Sequence, residues 1–288
     1  MACRPNLKFH ASFLMLVSTI SFAIMNASIR DITQELEPLV VVFFRNAFGL
    51  LALSPFLLRN GLKTFRTARL GLHGIRAGLN VMAMAFFYVG LSLTPLAEAT
   101  ALAFTAPLFA VMLAVLCLKE RVSFTKLLAM GIGFVGALII LRPGFGFTDV
   151  GSLWIIISAF IWSGTLIIIK LLARTESSMT ITAYMALFLA IMSLPTALIF
   201  WQTPSISQFI YLFVIATSGT LGQYTLTEAL GRADAQTVMP LDFMRLIWTA
   251  FLGYVMFNEV PDAYVWFGAT MIFASATYVA IEKKSDDN

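Results

Sequence analysis

The sequence predicts an all-α membrane protein: ten transmembrane helices arranged as two inverted five-helix repeats, with both termini cytoplasmic. Three observations predict it. Hydrophobic residues make up 59% of the chain and charged residues only 12%, about half the charged share of a soluble domain, so water is not its main solvent. The 288 residues divide into ten apolar stretches of roughly the 20 residues that one crossing needs. The second half of the chain also echoes the first.

Charged clusters and turn residues separate helices expected near 9–29, 38–58, 72–93, 96–118, 123–141, 150–170, 179–201, 206–229, 234–257 and 261–281. The first follows Arg4 and Lys8. It is too long for the apolar region of a signal peptide and lacks a small-x-small cleavage site before Arg30 and Asp31, so it reads as an uncleaved span. The second opens at Pro38 and carries Arg45 seven residues in, about 10 Å along the helix. Arg45 is open to two readings: snorkelling to the outer interface, or a part in coupling or gating. Arg76 opens the third helix near His73 and the basic loop from Arg59 to Arg69, where lipid head groups are the expected partner.

The fourth helix begins with Thr94 as cap, Pro95 at the first helical position and Glu98 in the first turn, where a carboxylate suits the helix dipole. Pro107 lies in its interior. The fifth carries Ala129, Gly133 and Ala137, a small-residue row suited to packing within a repeat or to a dimer contact. In the ninth, Pro240 precedes Asp242 and Arg245, which lie three residues apart on one face near the midplane.

With the N-terminus inside, Arg4, Lys8, Arg59, Lys63, Arg66, Arg69, Lys119, Arg121, Lys126, Lys170, Arg174, Arg232, Lys283 and Lys284 fall in the cytoplasm. Only Arg30 and Arg142 fall outside. This positive-inside bias sets the orientation. An offset of 140 residues pairs Ser18 with Ser158, Phe22 with Trp162, Arg30 with Lys170 and Pro55 with Pro195. After a one-residue slip, an offset of 139 pairs Glu120 with Glu259 and Phe134 with Phe273. Five spans per repeat force the second copy, 150–281, to run opposite to the first, 9–141. Inverted repeats mark secondary transporters.

Three stretches carry a family resemblance: LTPLAEATALAFTAPLFAVMLAVLCLKE at 93–120, MPLDFMRLIWTAFLGYVMFNEVPD at 239–262 and RAGLNVMAMAFFYVGL at 76–91. They resemble the drug/metabolite transporter superfamily, and within it the ten-helix EamA-type carriers. Bacterial branches of that group are assigned to S-adenosylmethionine or riboflavin uptake and to amino-acid or metabolite export. The most specific elements are Pro107 with Glu120, and the FMRL run around Arg245 with Glu259. The resemblance implies a cavity between the repeats, lined by helices 1, 3, 4, 6, 8 and 9, with helices 5 and 10 peripheral.

Asp242 and Arg245 are the leading candidates for substrate binding, because ionised groups at that depth are costly and normally face protein or a water-filled cavity. They are open to two readings, a closed ion pair holding the helix to a neighbour or a pair that exchanges partners with an incoming charge. Asn26, Asn80, Tyr88, Phe104, Trp162, Gln223, Tyr224 and Trp248 could bracket a planar or amphipathic solute or serve packing alone. Pro107 and Pro240 each remove a backbone hydrogen bond within the bilayer, as kinks or as parts of a site. Glu98 suits either the helix dipole or proton uptake, so protons are a candidate coupling ion.

Other function classes find little support. His10 and His73 sit at span ends, and no nucleophile, paired carboxylate, metal or cofactor motif appears, so catalytic residues are not expected. Cys3 and Cys117 support no disulfide framework. No repeated filter suggests a channel. The expected role is a secondary transporter in the bacterial inner membrane, monomeric or homodimeric, moving a charged, zwitterionic or heterocyclic metabolite. Candidates are S-adenosylmethionine, an amino acid or riboflavin. A receptor or scaffold, or an exporter of drug-like amphipathic compounds, is the alternative. Nucleic acid is not an expected partner.

Overall fold

The computed structural model describes residues 5–60, 67–118, 123–141, 150–172, 175–176, 178–232 and 241–281, and these are helical with no strand among them. In chain order the helices are α1 (Pro5–Ile32), α2 (Pro38–Asn60), α3 (Leu70–Leu93), α4 (Leu96–Ala103), α5 (Ala106–Leu118), α6 (Phe124–Leu141), α7 (Val150–Leu172), α8 (Ser178–Ile199), α9 (Ile206–Arg232), α10 (Met244–Phe257) and α11 (Ala263–Ile281). Glu120 and Pro240 lie outside the described residues.

Helices dominate because a bilayer core holds no water to satisfy backbone groups, and a helix satisfies them within one segment. Six stretches among the described residues are long and apolar enough to cross a membrane: His10–Ile32, Leu70–Leu93, Leu96–Leu113, Val150–Ile169, Thr180–Ile199 and Ile206–Ala229. Their outward sides are apolar. Ile132, Val135 and Leu138 on α6, and Ile210, Phe213 and Leu221 on α9, are all exposed, a surface that suits hydrocarbon and not water. The chain is a multi-pass membrane protein.

The expected fourth span is broken. Pro107 has no N–H to give Ala103, and its ring crowds that carbonyl, so α4 stops just upstream. The chain passes through Phe104 and Thr105 on short i to i−3 bonds: Phe104 N–H to Ala101 O at 3.2 Å, Thr105 N–H to Leu102 O at 3.0 Å and Leu108 N–H to Thr105 O at 3.0 Å. A second interruption falls at Phe243, where the helical residues Leu241 and Asp242 turn before α10 begins. Leu246 N–H closes it on Phe243 O at 2.9 Å. The interruptions are 139 residues apart, although Pro107 and Pro240 are not.

Small residues bring helices together where apolar side chains gain nothing over lipid. Along α1 and α9, Ser18 Oγ donates to Gly222 O at 2.8 Å. Along α7 and α3, Ser158 Oγ donates to Ala83 O at 2.7 Å. The row Ala129, Gly133, Ala137 on α6 packs within its own half, where Gly133 lies against Leu108, and also against Ser275 of α11 from the other half. A Cβ on Gly136 would stand 2.7 Å from Gly268 O, and one on Gly268 would stand 2.5 Å from Gly136 O. Ser275 Oγ donates to Ala129 O on the same seam. The main core gathers Ile29, Val41, Leu91, Leu102, Ile155, Leu212, Leu246 and Ile272 between the halves.

This seam makes a direct prediction. Gly268→Val should destabilise the detergent-purified chain by about 1–3 kcal/mol or more, the usual cost of overpacking, read as a drop in thermal midpoint. Gly131→Ala, whose added Cβ meets nothing within 4 Å, should leave the midpoint unchanged or raise it.

Candidate functional site

The two interruptions converge. Phe104 packs edge-on against Phe273 of α11 at 5.9 Å, and Phe243 packs on the same ring at 4.6 Å. Above them, Arg245 Nη2 donates to Asp242 Oδ2 at 2.9 Å. Its guanidinium lies 4.6 Å over the ring of Phe104 and 5.6 Å from that of Phe22 on α1. Arg245 is twelve residues from the end of α10, about 18 Å along the helix, within a hydrocarbon core about 30 Å thick. The pair does not clamp α10 to a neighbouring carboxylate. It is local, spanning i to i+3, and its contact with other helices is aromatic.

The pair is also incompletely buried, with side-chain exposures of 24% for Arg245 and 16% for Asp242. Arg245 Nε is buried without a hydrogen-bond partner, and among the other predicted residues so are Trp248 Nε1, Asn26 Oδ1 and Asn80 Oδ1. A polar atom sealed in without a partner costs about 1–3 kcal/mol, so such atoms mark places where water or a solute belongs.

The remaining predicted residues divide. Helical spacing puts Trp162 on the same face of α7 as Ile155, Ser158 and Ala159, all buried, yet Trp162 is 37% exposed. Gln223 shares a face with Leu212, Ala216 and Gly219 and is likewise exposed. Tyr224 does not join them. It is 62% exposed on the outward stripe of α9 with Phe213 and Leu221, and that stripe faces the bilayer. Tyr88 and Phe104 are enclosed in the core, and Pro107 is half-buried just past the break.

Arg45 does not snorkel. It shares a face of α2 with Val41, Phe44 and Phe48 and turns inward, where Nη1 donates to Asn46 Oδ1 at 3.0 Å. Its guanidinium lies 3.7 Å from the Cβ position of Gly219, thirteen residues into α9, or about 20 Å along it. Arg76 is not a lipid anchor either. It is buried against α8, donating to Ile181 O at 3.1 Å and to Met185 Sδ at 3.0 Å, while His73 stacks on Tyr184 at 4.7 Å.

A second polar centre lies at the end of the bundle away from the termini. Pro95 occupies the cap position of α4, one residue earlier than expected, and contributes no side-chain bond. The exposed N–H of Leu96 is instead met by Glu259 Oε2 at 2.8 Å. Asn258 makes this reach possible by adopting the left-handed conformation, φ 55°, at the end of α10, a conformation Asn tolerates better than most residues. The other Glu259 oxygen pairs with Arg30, which also donates to Leu91 O and Thr94 O and lies 5.3 Å over the ring of Phe257. One carboxylate thus ties α1, the α3–α4 turn and α10. A neighbouring pocket of about 270 Å³ is lined by Glu98, Gly253, Glu259 and Asp262, and Glu98 accepts from Ser152 Oγ at 2.8 Å. Sequence reasoning paired Glu259 with Glu120 across the repeat but missed Arg30 as its partner. The signal was present, since the offset repeats both charges as Lys170 and Glu120.

Comparison with known proteins agrees with this architecture. The profile of the EamA-like transporter family matches twice, over residues 10–142 and 149–281. An S-adenosylmethionine uptake transporter of Rickettsia bellii is 30% identical over 269 residues, covering 93% of this chain and 92% of the relative. A riboflavin transporter of Brucella anthropi is 32% identical over 250 residues, covering 83% and 87%. A pseudopaline exporter of Pseudomonas aeruginosa is 24% identical over 276 residues, covering 94% and 96%. One solved crystal structure superposes with a TM-score of 0.60 at 20% identity, covering 96% and 95%, a likeness of fold. With both halves matched to one family of transporters and not of enzymes, the chain belongs to the EamA-like transporter family.

Proposed function

We propose that this protein is a secondary transporter that carries a small charged, zwitterionic or heterocyclic metabolite across the bacterial inner membrane by alternating access. In this reading ten spans form two inverted repeats around a midplane site, with both termini in the cytoplasm. The observation that carries it is the partly exposed Asp242–Arg245 pair, held deep in the bundle where two interrupted helices meet. Broken helices in corresponding positions are the recurrent frame of transporter binding sites.

The inverted repeat draws support from contacts that exchange under the offset. Ser18 bonded to Gly222 O corresponds to Ser158 bonded to Ala83 O. Gly136 against Gly268 corresponds to Ser275 against Ala129. Phe104 and Phe243 interrupt corresponding helices. Two halves related in this way have two packings of similar energy, one open to each side. In this reading the tie between Arg30, Glu259 and the start of α4 acts as an outer latch that holds that side closed.

Relatives named for S-adenosylmethionine and riboflavin uptake suit a site that offers both ionised groups and the faces of Phe22, Phe104 and Trp248. Glu98, in the outer pocket, is our candidate for proton coupling, and the oligomeric state we propose is monomer or homodimer. The relative named as a pseudopaline exporter keeps export of an amphipathic solute as the second reading, and a receptor or scaffold role would need neither latch nor repeat.

The first test is a thermal-stability screen against S-adenosylmethionine, riboflavin, amino acids and organic acids. A true cargo at 100 times its dissociation constant should stabilise the chain by about 2.7 kcal/mol. Asp242→Asn removes a charge-assisted contact of about 1.5–3 kcal/mol and should weaken binding and uptake roughly ten- to hundredfold. Unchanged uptake would reject the site. The latch is tested in a variant carrying Cys3→Ser, Cys117→Ser and Ala250→Cys, where residue 250 lines the outer pocket. Adding Glu259→Gln should raise labelling by an impermeant maleimide applied outside intact cells, and equal labelling would remove the latch from the mechanism.

A further inference from the structure

Among the described residues two arginines turned into the bundle, Arg76 and Arg45, have no carboxylate partner; Arg76 is buried and held by Ile181 O and Met185 Sδ, whereas Arg45 is only half-buried. Asp242 and Arg245 cancel each other. Arg45 has no carboxylate within ion-pair reach among the described residues, and its one hydrogen bond is to the neutral amide of Asn46. The guanidinium has five N–H donors. Those left over are not sealed in, because the Arg45 side chain is only half-buried. They remain reachable although the side chain points inward.

One feature of the surroundings keeps the group available. Gly219 of α9 stands beside it with no side chain, and a Cβ there would lie 3.7 Å from Nε and Nη2 and 2.8 Å from Met25 Sδ. A side chain larger than alanine at 219 would cover the guanidinium. The position is continuous with the midplane pair. Met25 touches Gly219 beside Arg45, while Phe22, three residues earlier on α1, touches Arg245. The cation and the pair therefore flank one stripe of α1 about a helical turn apart, or roughly 5 Å.

An unneutralised, accessible guanidinium in a low-dielectric interior is a receptor for a carboxylate or phosphate, which its planar fork matches with two parallel bonds. We infer that Arg45 anchors an anionic group of the cargo, so that the carried solute bears a carboxylate or phosphate in addition to whatever meets Asp242, Arg245 and the aromatic rings. This rests on the transport reading and narrows it. Within the candidate classes it favours a metabolite with an amino-acid or phosphate tail over a neutral heterocycle.

Two matched pairs of probes test it on the purified chain. S-adenosylhomocysteine carries a carboxylate that 5′-methylthioadenosine lacks, and flavin mononucleotide carries a phosphate that riboflavin lacks. The wild-type protein should bind the carboxylate- or phosphate-bearing member of at least one pair tenfold or more tightly. That preference should fall to within about twofold in Arg45→Gln and survive in part in Arg45→Lys, which keeps the charge but not the fork. Without ligand, Arg45→Gln should melt at or above the wild-type temperature, because it removes a charge that no described residue neutralises; a lower melting temperature would indicate a structural arginine and overturn the inference. Equal affinity within both pairs, including no binding by any member, overturns it too, as does a preference that persists in Arg45→Gln. Saturable uptake of a neutral member with affinity equal to its carboxylate- or phosphate-bearing partner would overturn the anchor while upholding the carrier. Preferential binding of the carboxylate- or phosphate-bearing member with no uptake into proteoliposomes would overturn the carrier and uphold the anchor.

Discussion

The interaction on which the rest depends is the contact of Arg245 with Asp242 and the ring of Phe104. Ionised side chains in the hydrocarbon region cost roughly 2.5–3.5 kcal/mol each on insertion scales, and a fold that keeps them must surround them with compensating groups. Here compensation comes from a carboxylate one turn away and from the faces of two aromatic rings. Both supports require interrupted helices. The break at Phe104 presents that ring below the guanidinium, and the turn at Phe243 sits between Asp242 and the start of α10. Because the pair is neither sealed nor bonded to another carboxylate, its partners can change without pulling helices apart.

Much of this was legible in the sequence. Span boundaries follow Pro38, Pro95 and the charged connections, and most described helices begin and end within two or three residues of expectation. The break at Phe104 is written in Pro107, whose missing N–H is a local fact. What escaped were choices made by distant neighbours. Thr94 reads locally as a cap, but Glu259, far along the chain, supplies the carboxylate that α4 uses. The small row on α6 announces close packing without saying with whom, and its partners are Leu108 on α5 and the facing residues of α11. Arg45 sits near an interface by residue count, yet the apolar face of Val41, Phe44 and Phe48 turns it inward. Tyr224 has the chemistry of a binding residue but the helical phase of Phe213 and Leu221.

The proposed latch and the proposed substrate site lie at different levels of the bundle, and the proposed cycle links them through α4 and α10. Glu259 grips the start of α4 from the end of α10, while Arg245 near the start of α10 rests on Phe104 at the end of α4. The two interrupted helices are therefore fastened at both ends of their contact. A cargo that takes over part of the electrostatic work at the midplane would change the relative stability of the two packings, and that difference is all a ligand can contribute to a conformational change. The peripheral pair α6 and α11, locked by Gly136 and Gly268, is suited to act as the fixed seam about which the remaining helices move.

The most direct measurement of the account is solute counterflow in proteoliposomes. Vesicles loaded with an unlabelled candidate are diluted into a trace of the same compound carrying a label. An alternating-access carrier gives a transient accumulation of label above equilibrium that saturates with internal solute, and the account predicts this for the cargo class, with loss of the overshoot in Asp242→Asn. Linear, unsaturable entry with no dependence on internal solute would contradict it and indicate a pore.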